Sequence, residues 1–72
     1  MSRRVHSILS QLRKIRRDKE LSQEYVSKRA GYLRIQLCLY ETGGREPRFQ
    51  AVHDWAEALG YELVLRPKKV SA

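Results

Sequence analysis

Apolar positions at helical spacing open the chain. Val5, Ile8, Leu9, Leu12 and Ile15 fall at i, i+3, i+4, i+7 and i+10, one stripe of an amphipathic helix that ends near Lys19. Arg13, Lys14 and Arg17 occupy its opposite face. Such a helix is unstable alone in water, so its stripe packs on whatever follows. A second short helix begins after Ser22, whose hydroxyl can accept from an orphan N–H of the first turn. Val26 and Ala30 share its inner face, with the small Ser27 beside them where another backbone can approach. Gly31 supplies the positive φ that lets this helix stop at once. In the third helix Leu37 and Tyr40 form the inward pair and Tyr32 fills the gap at the turn. Leu33, Arg34, Ile35, Gln36 and Leu39 are left facing outward. After Gly43 and Gly44 comes a polar loop, then Pro47, suited to the first turn of a fourth helix. Phe49, Val52, Trp55, Ala56 and Leu59 recur at helical spacing as its core face, and Gly60 stops it.

The end of the chain changes period. Tyr61, Leu63 and Leu65 alternate with Glu62, Val64 and Arg66, a strand pattern that Pro67 ends. A lone strand leaves its backbone groups unpaired. The simplest partner is the same strand, 61–66, of a two-fold related copy, with Tyr61, Leu63 and Leu65 at the dimer contact. A fifth helix or an irregular segment are the alternatives. The basic residues of 67–72 are expected to form a mobile tail, which leaves 1–66 as one domain.

Composition narrows the partners. Seventy-two residues make one small domain, and a chain of this size buries only about 60% of its unfolded surface. The formal charge is +7. It is uneven, with Arg3, Arg4, Arg13, Lys14, Arg16 and Arg17 unopposed by any acid in residues 1–17. Such a field attracts polyanions, of which nucleic acid is the commonest. The competing explanation is that these side chains only solvate a helix. Cys38 is the only cysteine, so no intramolecular disulfide forms, which fits a reducing compartment. No apolar run approaches the roughly 18 residues of a membrane span, and a cytoplasmic protein with no membrane partner is expected. His6, His53 and Cys38 lack metal-ligand or nucleophile signatures. Gly43-Gly44 lacks the GKS or GKT ending of a phosphate loop. No metal, cofactor, small-molecule ligand or enzymatic activity is therefore expected.

Residues 22–41 form two short helices about a tight turn, the spacing of a helix-turn-helix DNA reader. Around them stand Leu21-Ser22-Gln23-Glu24, Gly31 eight residues after Gln23, Leu37, Tyr40-Glu41-x-Gly43, and Arg45-x-Pro47-Arg48-Phe49. Together they resemble the phage-repressor and Cro type of helix-turn-helix, the XRE family, over residues 8 to 60. The resemblance implies an all-α, four-helix lambda-repressor-like domain, to which this chain adds its C-terminal strand where many relatives have a fifth helix. It implies that Gln23 holds a DNA phosphate. It also implies that Arg16 and Glu41 form a structural ion pair between the first helix and the reading helix. Glu20 stands where relatives often have Gly, so either it is strained at positive φ or the connection differs locally.

Side-chain chemistry assigns the rest of the surface. The planar fork of Arg34 can donate two hydrogen bonds to guanine O6 and N7. Gln36 can pair with adenine unless its position turns it to the backbone. Leu33, Ile35 and Leu39 are apolar where relatives are usually polar; they press on thymine methyl groups or form a protein-contact surface. Thr42, Gly43, Gly44 and Arg45 are expected to present N–H groups and charge to a phosphate. Arg48 reaches a phosphate or the minor groove, and Arg13 and Arg17 are further phosphate candidates. The expected function is sequence-specific double-stranded DNA binding as a homodimer on a palindromic operator. Regulation would be Cro-like, by occupancy, and a phage or prophage origin rests on resemblance. Two rivals stay open. One is an antitoxin that represses its own operon and binds a toxin; the other is a protein-binding anti-repressor module.

Overall fold

A computed structural model describes residues 5–68, in which four helices follow one another: α1 Ser7–Asp18, α2 Gln23–Ala30, α3 Arg34–Thr42 and α4 Phe49–Ala58. Local chemistry sets their ends. His6 caps α1, its Nδ1 accepting from the Ile8 N–H at 3.1 Å, a role the sequence pattern had not suggested. Ser22 Oγ accepts from the Tyr25 N–H at 3.0 Å and starts α2. Gly31, at φ 90°, closes α2, with the N–H groups of Gly31 and Tyr32 both donating to the Ser27 carbonyl. Glu20 adopts φ 56°, so of the two alternatives it is the strained left-handed turn that the α1–α2 connection makes. It is the one non-glycine residue with positive φ among those described.

The core lies where all four helices meet. Leu9 and Leu12 come from α1, Val26 from α2, Leu37 and Tyr40 from α3, and Trp55 and Ala56 from α4, with Leu59 just beyond it. Val26, Leu37, Trp55 and Ala56 are completely buried, and α2 packs mainly on α4 and α3. Full burial of a side chain such as Leu37 contributes about 1.5–3 kcal/mol. Ser27 is buried too, and its hydroxyl donates to the Glu24 carbonyl, so the small polar side chain is satisfied inside its own helix.

Tyr32 packs edge-on against Tyr40, ring centroids 5.5 Å apart, and bridges the turn between α2 and α3. Its hydroxyl is buried with no protein hydrogen-bond partner. Burial, followed by the neighbouring Tyr40, Asp54 and Glu41, raises its pKa above that of an ordinary tyrosine.

The structure departs from the sequence pattern at four places. Residues 61–68 form no strand; within one chain they have no partner for a ladder, and only Leu63 packs against the core. Tyr61 lies half-exposed under the Lys19 ammonium and Leu65 is 101% exposed, so within one chain Tyr61, Leu63 and Leu65 share no buried face. Phe49 is 74% exposed rather than core, because it is the first residue of α4 and stands at the rim, and Ile8 at the start of α1 is also exposed. Pro47 precedes the Arg48 N-cap instead of entering the first turn. The expected mobile tail lies outside the described residues from position 69 onward, as do Arg3 and Arg4.

The two left-handed positions should respond oppositely to substitution. A Cβ on Gly31 meets nothing within 4 Å, so Gly31→Ala should lose about 1–2 kcal/mol through backbone strain alone. Glu20→Gly should gain about 0.5–1 kcal/mol, the relieved strain outweighing glycine's entropy. Urea denaturation checks both. The neutral Tyr32 phenol is favoured by the fold, and below about pH 10 it is neutral in folded and unfolded chains alike. Above that pH the unfolded chain ionises first, so stability falls as pH rises. Tyr32→Phe should make that alkaline loss shallower, measured by denaturation across the same pH range.

Candidate nucleic-acid interface

Glu41, near the end of α3, is 3% exposed and needs cationic or polar partners to remain inside. Arg16 supplies most of them from α1. Its Nε donates to Glu41 Oε2 at 2.7 Å and its Nη2 to Oε1 at 3.0 Å, a bidentate pair, while its Nη1 donates to the Leu21 carbonyl at 2.7 Å. One guanidinium thus ties α1, the α1–α2 connection and α3 together. Arg13 Nε stands 3.8 Å from Glu41 Oε1, so this candidate phosphate ligand is drawn toward the carboxylate.

From Glu41 the network runs outward. Gln23, the first residue of α2, donates from Nε2 to Glu41 Oε1 at 3.0 Å, and its Oε1 accepts from Arg34 Nη1 at 3.3 Å. Arg34 is the first residue of α3 and is exposed. The amide of Gln23 is therefore a link between the buried carboxylate and the candidate guanine reader. One Nε2 hydrogen and the N-terminal backbone of α2 are left for the phosphate role implied by resemblance.

The remaining outward residues divide. Leu33 and Ile35 are 68% and 53% exposed on either side of Arg34. Gln36 turns back, its Oε1 accepting from the Leu33 N–H at 2.9 Å, so it caps α3. Leu39 is half-buried rather than outward, because the chain folds over it: a Cβ on Gly44 would stand 2.9 Å from its Cδ2. The spacing of Gln36 three residues after the N-cap is a sequence signal for the first of these; nothing local signals the second.

The loop after α3 also differs from expectation. The N–H groups of Gly43, Gly44 and Arg45 all donate to the Leu39 carbonyl, closing the helix, so these amides do not point out to a phosphate. The Thr42 hydroxyl donates to the Cys38 carbonyl at 2.9 Å. What this loop offers an anion is the exposed Arg45 side chain; Arg48 at the α4 N-cap and Arg17 on α1 are exposed as well. Lys14 is paired with Asp18 at 2.9 Å, which raises its pKa. His53 lies 3.6 Å from Asp54 and 3.7 Å from Glu57, and the described residues hold no cluster able to bind a metal ion.

Two helices thus meet at a glycine turn, and the second is held to α1 by a buried ion pair. The sequence profile of helix-turn-helix proteins matches residues 12–65. The chain belongs to this helix-turn-helix family. Its XRE-type pattern and its all-α fold agree with that membership. An uncharacterised HTH-type transcriptional regulator, y4dL, of Sinorhizobium fredii strain NBRC 101917 / NGR234 is 36% identical over 70 residues. That alignment takes in 97% of this helix-turn-helix chain but only 36% of the relative's length. No helix among the described residues is long and apolar enough to cross a membrane.

Removal of Arg16 leaves the Glu41 carboxylate buried without its main counter-charge. Breaking one half of a buried pair costs about 3–5 kcal/mol, so Arg16→Ala should lower the melting temperature markedly. A melting curve unchanged by the substitution would remove Arg16 from its structural role.

Proposed function

We propose that this chain is the DNA-binding part of a transcriptional regulator and reads double-stranded DNA through the start of α3. The observation that carries the reading is Arg34. It stands exposed at the first position of α3, where a recognition helix meets base edges, and its Nη1 donates to Gln23 Oε1 at 3.3 Å. A held, planar fork matches guanine O6 and N7, and pre-ordering it reduces the entropy lost on binding. The net charge of +7, with Arg17, Arg45 and Arg48 exposed, supports a polyanionic partner. So does the relative's description as an HTH-type transcriptional regulator.

In this reading the chain acts as a homodimer on a palindromic operator, with half-site centres about 34 Å apart. Apolar surface supports a second copy. An apolar cleft of ≈ 460 Å³ is lined by Val5, Ile8, Pro47, Phe49 and Leu63 among others, and Val64 and Leu65 follow directly, 71% and 101% exposed. Repression would follow from occupancy of the operator.

Selection of duplexes from a random library at about 150 mM salt, where non-specific binding is much weakened, tests the reading. Enrichment of an inverted repeat containing a guanine in each half-site is expected. Arg34→Ala should weaken binding to it by about 1–3 kcal/mol and relax the preference at that guanine. Enrichment of single half-sites would overturn the dimer, and recovery of unrelated sequences would overturn specific reading.

A further inference from the structure

We propose that the reading head recognises a guanine flanked by 5-methylpyrimidine, with Leu33 and Ile35 as the residues that take the C5-methyl groups of thymine. The inference rests on the DNA-reading role of α3 and specifies what that helix reads. Leu33, Arg34 and Ile35 are consecutive at the start of α3, and the two aliphatic side chains are largely exposed on either side of the arginine. Neither carries a polar atom, so neither can answer the donors and acceptors of a base edge. The thymine methyl is the one apolar feature that the major groove presents to them.

The polar alternatives nearby are engaged. Bidentate pairing with adenine needs both ends of an amide, accepting from N6 and donating to N7. The Gln36 oxygen already accepts from the Leu33 N–H at 2.9 Å, and the Gln23 amide joins Glu41 to Arg34. The exposed side chains at this end of α3 are an arginine fork and two hydrocarbon surfaces, whereas Gln23 and Gln36 are partly buried. Charge favours DNA over a protein as their cover. The exposed Arg34 stands between them in a chain of net charge +7, and a partner seated on the apolar pair meets that charge.

The test uses the enriched operator duplex, with each thymine beside the half-site guanine replaced singly by deoxyuridine, which removes only the methyl. Loss of one buried methyl should weaken binding about fourfold. The loss should vanish in Leu33→Ser or Ile35→Ser, whichever side chain covers that methyl. Both positions are exposed, and serine is a good N-cap at position 33, so the variants should melt as the parent does. Deoxyuridine duplexes bound as tightly as the parent operator, or an operator with no thymine beside the guanine, would overturn the inference while leaving DNA reading intact. No preference among duplexes at all would overturn both and assign the apolar pair to a protein partner.

Discussion

A carboxylate buried in a 72-residue protein is a demanding constraint, and the Glu41 side chain, 1% exposed, imposes it here. Burial of such a charge costs several kcal/mol unless cations and donors surround it. Arg16 answers with two hydrogen bonds from α1 and a third to the Leu21 carbonyl, and Gln23 adds one from α2. Three consecutive helices, joined by short connections, are thereby fixed against one another by polar contacts with defined directions. The hydrophobic core around Trp55 and Leu37 drives collapse without direction. The Glu41 network adds direction, and it ends at Arg34.

Much of this arrangement is legible in the residues. The α1 stripe, the Ser22 cap, the Gly31 stop and the Val26, Ala30, Leu37 and Tyr40 core positions follow from periodicity and capping chemistry. They are local, and local signals survive folding. Arg16 and Glu41 stand 25 residues apart, so their meeting is implied by the family pattern and by nothing in the spacing alone. Glu20 is ambiguous for a similar reason: its strain depends on how the connection runs, and at φ 56° it is in the left-handed region.

The departures share a physical cause. Leu39 looks outward on a helical wheel, but the loop at Gly44 comes back over it, and a wheel carries no loop. The amides of Gly43, Gly44 and Arg45 look available until the Leu39 carbonyl collects all three. Phe49 has the right period for the core but sits at the helix's first residue, where the core has ended. The alternation at Tyr61, Leu63 and Leu65 describes what a strand would do with a partner, and one chain does not provide that partner. In each case periodicity names a face, while burial is decided by what else arrives there.

The central claim is that a buried carboxylate, acting through Gln23, aims Arg34 at DNA. The most direct measurement is a double-mutant cycle of operator affinity with Gln23→Ala, Arg34→Ala and the double variant. Residues in one hydrogen-bond network show coupling of roughly 0.5–3 kcal/mol. Coupling of about 1 kcal/mol or more is expected, with Gln23→Ala losing most of its effect once Arg34 is gone. Additive losses, within about 0.5 kcal/mol, would contradict it and leave Gln23 as an independent contact.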